Sequence, residues 1–125
     1  MTEPAAAFAP ATEYTATSRV GRVIEIRVRR LASRLDVQKL RDALYVALGQ
    51  AGRGAVICAD LRGVGPLSRE VSDAWSRAMR AANRDIARSC LLLDPSNVTF
   101  NLQIERIVRC AGNPERRLFA DVDEL

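Results

Sequence analysis

The chain contains no histidine. That removes the commonest general base and the commonest transition-metal ligand. Ser-His-Asp and Cys-His catalysis are excluded, as are histidine-dependent zinc sites. Cysteine is sparse: Cys58, Cys90 and Cys110 form an odd set at wide spacings without a C-x-x-C, so no structural zinc site is expected. Two of the three lie in or beside apolar runs, where cysteine acts as a small hydrophobe, and a reducing cytoplasm fits. Lysine is almost missing: Lys39 is the sole example, so arginine carries the basic charge. No apolar run approaches the roughly 18 residues of a membrane span. A basic region followed by an apolar block is missing near Met1, so no secretory signal is expected.

What is present describes an ordinary domain. At 125 residues, 48% hydrophobic and 27% charged, the chain is long enough for one core without disulfides or metal. Its net charge of +4 permits contact with nucleic acid or with acidic proteins and demands neither.

The stretch from Val56 to Val71, V-I-C-A-D-L-R-G-V-G-P-L-S-R-E-V, organises the rest. Val56 to Ala59 has strand composition, and Asp60 closes it. Gly63, Gly65 and Pro66 break any regular element. Ser68 is then placed to cap a helix whose apolar residues, Val71, Trp75, Ala78, Met79, Ala82 and Ile86, recur with a period of 3.6. Loops at the carboxyl ends of strands usually hold the functional site of an α/β fold, which puts function between Asp60 and Glu70.

In chain order, residues 1–12 are alanine-rich with Pro4 and Pro10 and read as a loose tail, with the domain covering 13–125. Glu13 to Thr17 reads as an edge strand. After a turn at Gly21, Val23 to Arg29 alternates cleanly as a half-buried strand, hairpin-paired with the first. Asp36 is the expected N-cap of a helix with the stripe Val37, Leu40, Leu44, Ala47 and Leu48, ended by Gly49 and Gly52. The second strand–helix unit runs from Ala55 to Arg88. Ser89 to Leu93 is a continuous apolar run, as expected of a parallel strand covered on both faces. A turn at Asp94 to Asn97 leads to a third helix marked by Phe100, Ile104, Ile107, Val108 and Ala111, which Gly112, Asn113 and Pro114 stop. Leu118-Phe119 is a short last strand, and the acidic Asp121 to Leu125 is at most one helical turn. The expected fold is thus a single α/β domain of order β-β-α-β-α-β-α-β, with a mixed, mostly parallel sheet.

This order, with Asp60-Leu61-x-Gly63-Val64 closing a central strand, resembles the STAS family of bacterial anti-anti-sigma factors from about Tyr14 to Phe119. In that family the phosphorylatable Ser or Thr follows a hydrophobic and an acidic residue at the start of the second long helix. Without gaps, Leu67 takes the hydrophobic place, Ser68 the acidic one, Arg69 the phosphoacceptor's and Val71 that of a glycine. The resemblance implies a non-enzymatic cytoplasmic signalling module acting by protein–protein contact, and Arg69 implies that the family's phosphoserine switch is absent. The later segment, R-S-C-L-L-L followed by a helix and N-P-E-R-R-L-F, is similar to a divergent STAS group allied with SEC14-like lipid-binding domains. That similarity implies the alternative of a small apolar or lipid ligand.

Read on their own chemistry, the candidate residues stay modest. Ser68 is first a helix cap and, as the one hydroxyl between Asp60 and Val71, the candidate phosphoacceptor, with Arg62 and Arg69 near it. Asp60 lacks a second carboxylate close in sequence, so it is expected to accept backbone N–H bonds from the glycine loop. Gly63 and Gly65 match neither a dinucleotide fingerprint nor a P-loop and are expected as turn glycines. Arg69, Arg77, Arg80, Arg84 and Arg88, at about 100° per residue, fall within one helix sector of about 100°, opposite the apolar stripe. That sector is either a solvated face or a docking face for an acidic protein. The expected partner surface is therefore Asp60, Arg62, Ser68, Arg69, Glu70, Arg77, Arg80 and Arg84. Nucleic-acid binding lacks the aromatic interleaving of single-strand readers, and with 5% aromatics Trp75 belongs to the core. No cofactor, metal or catalytic set is expected. A homodimer is compatible with all of this.

Overall fold

Alternation builds the sheet. Ile24, Ile26 and Val28 are buried while Val23, Glu25 and Arg27 are exposed, so strand β2 (Val23–Val28) presents one apolar face. It pairs antiparallel with β1 (Thr15–Val20) through the turn at Gly21, where φ is 61° and glycine carries no penalty. The remaining elements are α1 (Arg34–Ala51), β3 (Ala55–Asp60), α2 (Arg69–Ala82), a 3₁₀-helix (Asn83–Asp85), β4 (Ile86–Leu92), α3 (Val98–Ala111) and β5 (Arg116–Phe119). This computed structural model describes residues 15–112 and 116–119, so the expected tail at 1–12 and the acidic end at 121–125 lie outside them.

The five strands lie in the order β1-β2-β3-β4-β5, antiparallel for the first pair and parallel thereafter. Each of the three crossovers steps one strand in the same direction. With the right-handed crossovers that parallel strands require, all three helices then fall on one face. Burial agrees: Ala55, Ile57 and Ala59 of β3 are covered, whereas Val56, Cys58 and Asp60 are half-buried. The expectation of cover on both faces holds at the carboxyl end of β4, where the consecutive Leu91 and Leu92 are both buried, and is corrected elsewhere in the sheet. The helices supply one cover, and Glu25, Arg27, Cys58, Cys90 and Arg117 lie on the other face.

Three other expectations are corrected. The cap of α1 is Ser33, whose side chain accepts the Asp36 N–H at 3.3 Å, while Asp36 reaches back to accept the Ala32 N–H at 2.8 Å. Asp36, in the third position of the helix, thus bonds the residue before the cap and not the cap's own N–H, a departure from the reciprocal capping box. The second helix stops at Ala82, and the 3₁₀-helix, unforeseen in the expected order, turns the chain into β4. Ile86, which fits the helical period of α2, is instead the first inward residue of β4. A bulge follows: Ala55 pairs Ile86 but Val56 pairs Arg88, so Ala87 is extra and the alternation restarts with Ser89 and Leu91 inward. A period of 3.6 and a bulged strand place Ala82 and Ile86 on one side alike.

The core lies between this face and the helices. Phe100, Ile24, Leu61, Ile104, Ile107, Val28, Val64 and Val71 are its largest fully buried side chains. Trp75 of α2 stacks on Phe100 of α3 with ring centroids 6.4 Å apart, as the expectation of a core tryptophan requires. In this layer α2 sits in the middle, against α1 on one side and α3 on the other.

Candidate functional site

At the carboxyl end of β3 the chain is tied down residue by residue. Asp60 accepts the Arg62 N–H at 3.1 Å and takes the Arg62 guanidinium as a fork, Nε at 3.0 Å and Nη2 at 2.9 Å. Arg27 of the neighbouring strand stands 3.9 Å away. Asp60 thus does accept a backbone N–H from the loop, as expected, but its main partner is an arginine two residues on. The Arg62 hydrogen bond is the leading reason that the Asp60 carboxyl is held below its ordinary pKa, outweighing partial burial.

Beyond Arg62 the loop is held by α3. Gln103 clamps Leu67 from both sides: its Oε1 accepts the Leu67 N–H and its Nε2 donates to the Leu67 carbonyl, each at 2.8 Å. The Asn97 amide donates to the Val64 carbonyl, so Asn97, at the N-cap of α3, makes no side-chain cap bond of its own. Leu61, Val64 and Leu67 are buried beneath these contacts. Neither Gly63 nor Gly65 has a positive φ; an added Cβ at Gly63 would meet the Arg29 backbone at 3.7 Å, ordinary contact. These two glycines occupy the turn without needing glycine's conformational range. Ser68 then accepts the Val71 N–H at 3.2 Å and caps α2.

The expected arginine face divides. Arg69 and Glu70 are exposed in the first turn of α2, with Glu70 4.0 Å from Arg34 of α1. Arg77 lines a groove between α1 and α2 and has no hydrogen bond or ion pair among the described residues. Arg80 turns to α3 instead, where it donates to the Cys110 carbonyl at 2.8 Å, beside Asn83, which donates to the Ala111 carbonyl at 2.7 Å. Both complete carbonyls that a helix end leaves open, and the cation also suits the negative end of the helix dipole. Arg84 lies in the 3₁₀-helix and Arg88 in β4. The single helix sector of five arginines is accordingly corrected, because the helix ends before the last two.

The groove measures about 700 Å³. Leu35, Val37, Ala74, Ala78 and Ala81 supply its apolar lining, and Arg34, Arg41 and Arg77 its charges, with Gln38 between. Below it lies a smaller apolar cavity of about 60 Å³ against the inner sheet face, which shares Val37, Arg41 and Ala78 with the groove. At its far end Arg116 of β5 enters the core. That guanidinium donates to the Met79 carbonyl at 3.0 Å, to Ser89 Oγ at 3.3 Å and to Asn83. No described carboxylate meets it, its Nε is buried without a partner, and burial lowers its pKa.

Of the groove's three arginines, only Arg77 belongs to the partner surface expected from the sequence. Arg34 and Arg41 are seven residues apart on α1, a spacing of two turns that puts them on one side, and this signal was readable. Gln103 also had one, being a polar residue three after Phe100 and four before Ile107 on the buried stripe. Arg116 had none, because a basic residue on an edge strand ordinarily faces water. Among the described residues no three His, Cys, Asp or Glu side chains are placed to share a metal ion, and no helix is long and apolar enough to cross a membrane. Neither a family model nor a curated protein matches the chain.

Proposed function

We propose that this chain is a non-catalytic regulatory module that binds an acidic segment of a partner protein along the α1–α2 groove, beside the Asp60–Glu70 loop. The observation that supports it most is the groove itself, an apolar trough edged by three guanidiniums. Docked helices and strands use such troughs, and arginine forks suit their carboxylates. The loop at its mouth is fastened at Asp60, Val64 and Leu67, so ordering it on binding costs little. Asp60 and Arg62 answer each other's charge, which leaves Arg69 and Glu70 as the loop's contribution to the contact. Ser68 already serves as a cap, and Arg69 stands where the resembled STAS family carries its phosphoacceptor, so binding is constitutive. On this reading the protein is a STAS-like, anti-anti-sigma type module of a bacterial cytoplasm, and its free cysteines suit that compartment.

Charge reversal tests it. Capture of the partner from native lysate weakens as salt rises past about 0.1 M, where the screening length is about 10 Å. The Arg34→Glu, Arg77→Glu variant loses the partner while its melting temperature stays near wild type, since both side chains are exposed. Ser68→Ala loses a cap worth about 1 kcal/mol and keeps the partner. Unchanged capture by the double variant would refute the groove, and stoichiometric phosphate on Ser68 from native cells would refute constitutive binding.

A second reading has an observation of its own. The cavity beneath the groove is apolar, and Arg116 brings it a cation that no described carboxylate answers. At about 60 Å³ the cavity takes a carboxylic acid of only a few heavy atoms, its carboxylate on Arg116.

A further inference from the structure

The sheet face away from the helices carries a second feature. Cys58 of β3 and Cys90 of β4 are Cα partners in the parallel register, so their side chains leave the same face side by side. Both are half-buried: neither sealed in the core nor fully in water. The same register places Glu25 next to Cys58 and Arg117 next to Cys90, giving the row Glu25, Cys58, Cys90, Arg117 across four strands. We propose that Cys58 and Cys90 form a two-thiolate site for a soft, two-coordinate cation of the copper(I) class.

Geometry selects that class. Neighbouring strands are about 4.8 Å apart, and paired side chains start from that separation. A thiolate–metal bond is about 2.3 Å, so a linear S–metal–S unit spans about 4.6 Å and bridges the strands without moving them. A disulfide is within reach of that Cα spacing too, but it needs a two-electron oxidant, whereas the cation binds the reduced pair. Zinc asks for four ligands, and here it finds two thiols in a chain without histidine. Among the described residues no third Cys, Asp or Glu joins the pair in a metal-sized cluster. Thiolate softness then favours a monovalent d¹⁰ ion over magnesium, calcium or manganese.

Electrostatics supports the pairing. The Cys58 thiol is pushed up first by burial and then by Cys90 and Glu25, so the unliganded pair resists holding two negative charges. Binding displaces one proton from each thiol and puts a positive ion between the sulfurs. The resulting bis-thiolate complex carries one net negative charge, beside Arg117. No electron is transferred and no further reactant is required.

Copper(I) held by a chromogenic chelator is titrated under argon into the full, reduced chain. One ion per chain moves to the protein and stays there against an excess of N-acetylcysteine. Cys58→Ser and Cys90→Ser each lose about 100-fold or more in affinity, the gain that a second tethered thiolate provides through effective concentration. Cys110→Ser, altered on the exposed end of α3, binds as wild type does. On the unmutated protein the same ion shields Cys58 and Cys90, but not Cys110, from iodoacetamide, which keeps the test independent of how the variants fold. Retention of copper by either single variant, or equal alkylation of all three thiols with and without the ion, overturns the site.

Discussion

Asp60 shows how one side chain can be both positioned and neutralised by its own loop. Its carboxyl is held below the ordinary value of 3.8, chiefly by the Arg62 hydrogen bond. A carboxyl whose folded pKa lies below its unfolded one favours folding at every pH above the unfolded value, and that contribution drains away as pH falls through the folded one. Asp94 shares the behaviour through its bonds from Ser96. Replacing Asp60 by Asn removes one of these two titrations. Urea midpoints followed from pH 6 down to about pH 2 should fall less steeply for Asp60→Asn than for wild type, with the remaining slope owed partly to Asp94. Parallel curves for the two proteins would show that the Asp60–Arg62 fork adds nothing to stability.

Elements were legible where one rule governed them. The β2 alternation, the Ser68 cap and the stripe of α3 each follow from a single periodicity or a single cap, and each stands where the sequence puts it. What was hidden lies where two rules give the same residues. Ile86 satisfies both the helix period and the inward face of a bulged strand, and only the bulge at Ala87 separates them. Ser33 and Asp36 are both good caps, and both accept a backbone N–H at the start of α1, so residue type alone could not rank them. The largely one-sided cover of β3 was hidden too, since an apolar run such as Val56 to Ala59 suits one covered face nearly as well as two. For the candidate site, Asp60, Ser68 and Arg77 were readable, while the groove needed Arg34 and Arg41 brought across from α1. The fastening of the loop to α3 depends on Gln103, and its loss has a definite size. Gln103→Ala leaves the part-buried N–H and carbonyl of Leu67 without their partner, at a cost of about 1–3 kcal/mol. Chemical denaturation measures this, and a change below about 0.5 kcal/mol, the range of ordinary surface substitutions, would mean that water replaces the clamp freely.

At the scale of the whole molecule, the two faces of the sheet divide the work. The helical side holds the core, the groove and the cavity beneath it; the other side holds charges and the paired thiols. A partner in the groove and an ion on Cys58 and Cys90 would therefore be separated by the thickness of the sheet, and neither would obstruct the other. The strand order β1-β2-β3-β4-β5 carries a further consequence, which concerns time and not space. Every strand pairs with its neighbours in the sequence, so none waits for a later segment before it can dock. The loops closed at each step are short for a mostly parallel sheet, which lowers the entropic barrier. Structure can then grow from the β1–β2 hairpin one strand–helix unit at a time, in the direction of synthesis, and unravel in reverse. Amide exchange on the native protein should show it: β2, β3 and β4, paired on both sides, exchange last, and Arg116–Phe119, a four-residue edge paired on one side, opens well before them. Equal protection of β5 and β3 would mean that the sheet opens as one unit. With graded protection, the strand of this sheet made last would also be the first to let go.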